Sequence, residues 1–593
     1  MKDTSKNDYK DKKPTLTNTY PVPLNFEEIK ENIIITTNNS SKATKEQLIN
    51  QAFNLHSQGN ISEAVKYYKY FIDQGFKDHR VFSNYGIILK DNRNLQKAEI
   101  YLTRAIEIKP DFPNAHFNLG LIFNDLGKPQ KAVKCLGQAI KLEPNLAEAH
   151  YNLGSIFRDL GNLEKAKVSI KKSIELKPDY ADAHLTLGLV FHDLNELKEA
   201  ERYLSKAIII NPNLSEAYYN LGIIFNDLGE IKKSYDSYMK AIKIKPNFTQ
   251  AHANLGLVLK DSGNLEEAEI YIRKAIRLNP NLSELYSNLG IILIGLGRLI
   301  EAELSQLKAI ELNPDLANAH YNLGNILRET ERLKEAELSL KKAIELNPAL
   351  AQAHRDLSIC LYLMGKKTSA LKSIIKANSL NPKELTIRIL LEFFKVEQNH
   401  INISPATDNK EISLKENKLD SNPLILNRPV ESELIDSLYK IKARDQEKYQ
   451  APTYGNAKGS DYYLFERNEP IINIIKDELI NIACKSVNSN VFISESFFTI
   501  FRSGGGLTSH DHINKLDQIK GLNLSERKFS LVYYLSVGDQ NCEEPGILKL
   551  EDPSEDILPS NGLIIIFPAT RKHSVFYKGQ KDRIIIGVNF YML

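Results

Sequence analysis

The sequence predicts two architectures in succession: an all-α superhelical solenoid, then a helix-backed β-sandwich or jelly roll. Three observations carry this. A glycine returns every 34 residues, at 86, 120, 154, 188, 222, 256, 290 and 324. A proline closes each interval, at 110, 144, 178, 212, 246, 280, 314, 348 and 382. Beyond about residue 490 the apolar pattern breaks into short strand-like runs separated by turn residues. A chain of 593 residues also exceeds what one core serves.

Residues 1–44 are polar, rich in Lys, Asn and Thr, with two prolines in Tyr20-Pro21-Val22-Pro23. Such a composition buries too little apolar surface to offset chain entropy, so a mostly disordered leader is expected. From residue 45 the repeat takes over. An alanine lies twelve residues after the glycine, at 98, 132, 166, 200, 268, 302, 336 and 370, with Ser234 as the one exception; Ser358 takes the ninth glycine place. A weaker first unit, Gln47 to Gly75, keeps Ala64. Ten units therefore span about 45–384. The glycine and alanine fall where two helices cross too closely for a larger side chain. The proline stops the second helix and sets the turn into the next unit. Residues 383–398 are apolar at helical spacing and form a capping helix, which ends the solenoid at 398.

This period and pattern resemble the tetratricopeptide repeat. The resemblance implies paired helices stacked into a right-handed superhelix with a concave groove. Two residues before the marker glycine stands an asparagine, in Asn84, Asn118, Asn152, Asn220, Asn254, Asn288 and Asn322. Facing the groove, these carboxamides could bind an extended peptide backbone whatever its sequence. The arrangement resembles the asparagine ladder of O-linked N-acetylglucosamine transferases; the plainer reading is that asparagine is common at this place. A second ladder, Asp91, Asp125, Asp159, Asp193, Asp227 and Asp261, either favours basic partners or pairs with nearby lysines. His116, His150, His184, His252, His320 and His354 share one repeat position, and are expected to pack rather than bind metal.

Residues 399–429, rich in Asn, Ser, Lys and Asp, read as a linker to a domain over 430–593. Val430 to Lys448 and Pro470 to Val487 read as helices. Strands are expected over Ser494–Phe501, Phe529–Val537, Ile547–Leu550, Leu563–Phe567, Ser574–Tyr577 and Arg583–Tyr591.

Composition narrows the function classes. With 77 basic against 74 acidic residues, 42% hydrophobic and 25% charged content, neither a broad nucleic-acid footprint nor a polybasic membrane patch is expected. The first residues lack a signal-peptide core and no segment is apolar enough to span a bilayer. Cys135, Cys360, Cys484 and Cys542 are scattered, with neither disulfide nor zinc spacing. A reducing cytoplasmic location is expected.

Between 401 and 593 only three histidines occur: His510, His512 and His573. The first two follow Phe501-Arg-Ser-Gly504-Gly505-Gly506-Leu-Thr-Ser, and the third follows Gly562-Leu-Ile-Ile-Ile-Phe567-Pro568. A strand's period of two sets His510 and His512 on one face and Asp511 on the other. A third imidazole from another strand gives facial coordination with open positions, as ferrous iron uses. Arg583, ten residues on, could anchor an acidic co-substrate, with Ile585, Gly587 and Asn589 lining the same interior.

These motifs, over about 494–593, resemble the 2-oxoglutarate and iron(II)-dependent dioxygenases. Phe501, Gly504 and His510 fit the family's spacing into its first iron ligand, followed by Ser530-Leu-Val-Tyr533-Tyr534-Leu and Gly546 through Asp552-Pro553. The segment from Gly562 to His573 resembles the one carrying the distal ligand. The resemblance implies a double-stranded β-helix fold, Fe(II) on His510, His512 and His573, and 2-oxoglutarate held through Arg583. It also implies hydroxylation of a protein or peptide docked by the repeats. The chain departs from the family at His512, where a carboxylate is usual; Asp511 or Asp517 could supply one. Gly504-x5-His510-x-His512 also opens the cupin motif, although the expected glutamate is missing. A third reading is a repeat scaffold with a catalytically silent β-domain.

Overall fold

The computed structural model describes residues 44–402, 422–441, 444–445, 455–460 and 462–593. The expected disordered leader thus lies outside the described residues, as does most of the expected linker. The chain divides after Asn281 into two compact units. The first holds seven helix pairs, from Lys45–Ser57 to Leu265–Leu278. The second holds three more pairs, from Ser283–Gly295 to Lys367–Leu380, then the helix Leu385–Asn402 and a β-sheet domain.

Each marker does the work expected of it. A Cβ on Gly86 would lie 2.9 Å from Leu102, on Gly154 2.4 Å from Ile170, and on Gly222 2.5 Å from the Tyr238 ring. The marker alanines are fully buried. Second helices stop two residues before the proline, as in Leu95–Ile108 ahead of Pro110. A further marker closes the first helix of each pair. Residues seven after the glycine adopt positive φ: Gly127, Gly161, Gly229, Gly263, Gly297 and Gly365, with Arg93, Asn195 and Glu331 in the remaining places. At Gly127 the surrounding bonds, Gly127 N–H to Asn124 C=O (3.0 Å) and Lys128 N–H to Phe123 C=O (2.8 Å), form a Schellman stop.

The second unit's sheet has ten antiparallel strands: β1 (Leu424–Asn427), β2 (Arg444–Asp445), β3 (Gly455–Gly459), β4 (Val491–His510), β5 (Lys528–Ser536), β6 (Leu548–Leu550), β7 (Glu555–Ile557), β8 (Leu563–Pro568), β9 (His573–Tyr577) and β10 (Arg583–Met592). Their order is β1-β8-β5-β10-β4-β9-β6-β7, with β3 on β4 and β2 on β3. The sheet curls through β4, which pairs with β10 up to Phe501 and with β9 from Gly505. Gly504, at φ +83°, makes the bend between them. Alternation along the strands then separates two layers. Ile564, Ile566, Ile584, Ile586 and Val588 face the helices Ser432–Lys440 and Pro470–Val487. Ile565, Phe567 and Ile585 face inward with Phe501 and Leu507.

Two sequence expectations need correction here. Residues 424–427, read as linker, form an edge strand because Leu424 to Asn427 find partners in Ile566 to Leu563 across the sheet. The helix expected over 430–448 runs only Ser432–Lys440; Ile441 leaves the helical region at ψ 130°, and most of the rest lies outside the described residues. Among those residues no helix is long and apolar enough to cross a membrane.

Candidate metal centre

The bend in β4 brings the three histidines together. His510 ends β4 and pairs in register with His573, which starts β9. His512 lies two residues past the strand end, its N–H bonded to the Ala569 carbonyl at 3.1 Å. Their ring nitrogens offer one ligand atom each, all within 4.8 Å of one another. Ring centroids are 5.1 Å apart for His510–His512, 4.3 Å for His510–His573 and 4.9 Å for His512–His573. His510 Nδ1–H donates to the Thr508 carbonyl at 2.8 Å, leaving Nε2 its lone pair.

Burial keeps two of the rings unprotonated. His512 is pushed down to about 2, first by desolvation and then by His573, His510 and Lys528. His573 is pushed down to about 4 by desolvation and then by His510. The Arg571 backbone works the other way, and the buried His573 Nδ1 has no hydrogen-bond partner among the described residues. Three imidazoles packed together, with one buried nitrogen unsatisfied, fit a cation such as Fe(II) or Zn(II).

Arg583 lines the same cavity, with Ile585, Gly587, Asn589 and Phe497. The residue is 1% exposed, and its guanidinium sits 5.0 Å over the Tyr534 ring. Nη1 donates to the Pro545 carbonyl at 3.3 Å and to that of Gly546, while Nε has no partner among the described residues. Among the described residues no carboxylate pairs with it. A buried cation without an acid is costly unless an anion completes it, and desolvation lowers its proton affinity.

Neither candidate carboxylate joins the histidines. Asp511 is exposed and accepts from the Ile513 N–H at 3.1 Å, capping its own turn. Asp517 is buried but accepts from Lys528 Nζ at 2.9 Å and from the Tyr591 hydroxyl at 2.7 Å. The sequence reading missed Lys528, which also donates to the His512 carbonyl at 2.6 Å. It missed Glu495 as well. Asn589 holds its side-chain nitrogen 3.3 Å from His512 Nδ1, donates to Glu495 at 2.5 Å and accepts from Ser530 at 2.7 Å. The β4–β10 register, which sets Glu495 opposite Asn589, was the signal for that contact.

In the helical array each of the seven asparagines stands on the first helix of its pair. Asn84, Asn118, Asn220 and Asn322 are buried, and Asn152, Asn254 and Asn288 half-buried. Asn118, Asn152 and Asn220 donate to the carbonyl four residues back in their own helix; Asn254 reaches Tyr219 and Asn322 reaches Ser287. Of the aspartates, Asp193 pairs with Arg158 at 2.7 Å, Asp227 with His192 at 3.1 Å and Asp261 with Lys260 at 2.8 Å. Each repeat histidine donates Nε2–H to the proline carbonyl six residues earlier: His116 to Pro110, His150 to Pro144, His184 to Pro178, His252 to Pro246, His320 to Pro314 and His354 to Pro348, at 2.8–3.2 Å.

Comparison with known proteins bears on the helical array. Models of the tetratricopeptide repeat match residues 79–112, 147–180, 181–214, 215–248, 249–282, 271–303 and 317–350, and a further repeat model matches 120–157. No curated protein matches the chain. Among solved structures, the Cut9–Hcn1 hetero-tetramer of APC/C is 14% identical over 60% of this chain and 96% of that one, with a TM-score of 0.34. MamA is 30% identical over 28% of this chain and 97% of its own, with a TM-score of 0.26. YrrB, described as having an unusual peptide-binding site, is 23% identical over 32% and 97%, with a TM-score of 0.27. Between residues 79 and 350, then, the chain carries tetratricopeptide repeats.

Proposed function

We propose that this chain is a 2-oxoglutarate- and Fe(II)-dependent oxygenase of double-stranded β-helix (jelly-roll) fold, working in the reducing cytoplasm on a protein or peptide docked by its repeats. The observation that carries the reading is one cavity lined by both the histidine cluster and an acid-free, buried arginine. His510, His512 and His573 would hold the metal, and Arg583 the distal carboxylate of the co-substrate. With both bound, the centre would couple oxidative decarboxylation of 2-oxoglutarate to hydroxylation of a C–H bond. The chain's own part is to orient and to exclude water. His510 is turned by Thr508, Arg583 is aimed by the Gly546 carbonyl and Tyr534, and the Phe497 ring covers Gly587 at the cavity wall, where an added Cβ would lie 2.4 Å away. Repeats of this family bind peptides or proteins, which is the support for a macromolecular substrate.

A second reading, a cupin-like metal site without 2-oxoglutarate, is favoured by the all-histidine ligand set. Anaerobic addition of Fe(II) and then 2-oxoglutarate to the full chain separates them. A metal-to-ligand charge-transfer band that vanishes in His573→Ala and weakens in Arg583→Ala supports the oxygenase. Bound iron without the band supports the cupin-like site. No bound iron leaves a repeat scaffold with a silent β-domain.

A further inference from the structure

The segment that follows His512 belongs to two places at once. Leu516, Leu522 and Leu524 are buried in one apolar core with Leu357 and Cys360 of the last repeat and Phe393 and Phe394 of the capping helix that follows it. At Gly521 the backbone, at φ +85°, lies so close to the helix Ala351–Leu363 that an added Cβ would stand 2.8 Å from Leu363. Arg527 pairs with Glu397 at 3.3 Å and sits 5.2 Å over the Phe393 ring. The loop therefore takes its shape from the helical array as much as from the sheet.

Within this loop Asp517 is 3% exposed, and its partner Lys528 1%. A buried ion pair tolerates little displacement, because separating the charges leaves each uncompensated in a poorly solvated place. Tyr591, a member of the shared core, donates to the second carboxylate oxygen. Lys528 spends one donor on Asp517 and another on the His512 carbonyl. A continuous path runs from Phe393 and Phe394 through Leu516 and Asp517 to Lys528, and ends on the backbone of a histidine in the cluster.

We propose that the last repeats are a structural part of the metal centre, with Asp517 and Lys528 as the positioning residues that set His512 against His510 and His573. This rests on the reading of the three histidines as a metal site, whatever reaction that metal serves. The sheet domain cut away from the repeats would then keep its histidines and lose their arrangement.

The test is metal affinity of the full chain, measured with Co(II) against a chelating competitor, together with the visible absorption of the bound ion and urea unfolding. The double variant Lys528→Met/Asp517→Asn removes the pair without leaving an orphaned charge. It is expected to bind about 10–100-fold more weakly, the range seen when groups supporting metal ligands are lost, and with an altered absorption band. Phe393→Ala, in the shared core and outside the two other apolar clusters of the sheet, is expected to weaken Co(II) by about 5-fold or more. Phe53→Ala, a similar cavity in the first compact unit, should leave affinity unchanged. Wild-type affinity and spectrum in both the double variant and Phe393→Ala overturn the proposal while leaving the metal site standing. Absence of Co(II) binding by the wild type overturns both.

Discussion

The histidines of the repeat array and those of the sheet domain share one chemistry and meet opposite fates. In the array six imidazoles share one repeat position, each closing its turn by donating to a proline carbonyl. In the sheet domain three imidazoles from distant parts of the sequence converge within 4.8 Å, and the buried His573 Nδ1 has no partner. Repetition gives each of these six imidazoles a local backbone partner at Nε2, although Nδ1 of His184 and of His252 is buried without one among the described residues, whereas convergence brings three rings' nitrogens toward one another. That second arrangement is costly in a buried site unless a cation completes it, so what separates the cluster from the ladder is the convergence of three rings, not one unpartnered nitrogen.

The largest expected effect breaks this contrast directly. His573→Ala should cut metal affinity at least about 100-fold, by analogy with loss of a first ligand among three. His252→Ala, in the array, should leave metal binding untouched and cost about 1 kcal/mol for one lost hydrogen bond. Equilibrium titration and urea midpoints read the two outcomes side by side.

Gly546→Ala tests the other half of the cavity. An added Cβ would lie 1.5 Å from Arg583 Nη1, at a φ of +79°, so the guanidinium must move. Co-substrate affinity by calorimetry should fall about 10-fold or more, as expected when a charged hydrogen-bond pair is lost, while metal affinity holds. In the array the same substitution acts on packing alone. Gly222→Ala drives a Cβ to 2.5 Å from Tyr238 and should cost about 1–3 kcal/mol with no effect on ligands.

Acid gives a third contrast. The fold holds His512 neutral to about pH 2 and His573 to about pH 4, while both take protons near pH 6.5 when unfolded. Between about pH 4 and 6.5 the unfolded chain binds more protons, so stability rises with pH across that window and is lost as pH falls through it. The metal-free sheet domain of the full chain should lose about 1–2 kcal/mol per histidine between pH 7 and 5. In His512→Leu/His573→Leu that slope should flatten, read from urea midpoints at the two values.

The smallest effect lies in the array. Gln306 takes the place where Leu136, Leu204 and Leu340 pack on the marker glycine in other repeats. It is fully buried, donates to the Ser287 carbonyl at 2.9 Å, and its Oε1 has no partner. Gln306→Leu should raise stability by up to about 1 kcal/mol, seen as a small rise in Tm.

The array was legible because every marker acts locally and returns in eight or nine of the ten units, so one misplaced residue cannot hide the period. The helix Pro470–Val487 was legible for the same reason on a smaller scale: proline at its start and an unbroken apolar stripe. Strand β1 was not, because Leu424 to Asn427 are ordered by pairing with β8, far away in sequence. The sequence reading had a strand over Ser494–Phe501 and strand alternation at His510 and His512, but not that Gly504 bends one strand that continues from Val491 to His510. The histidine trio stood out by its isolation in the last third. Its surroundings did not. Asp517 read as a spare ligand because nothing in the sequence announces that Lys528 and Tyr591 already occupy it.

The most direct measurement is the metal content of the full chain after anaerobic loading with Fe(II) and removal of unbound ion. One equivalent in the wild type is predicted, and none in His510→Ala/His512→Ala/His573→Ala, although that variant keeps all six repeat histidines. Equal metal in both proteins, or several equivalents per chain, would contradict a single centre built from the three converging imidazoles.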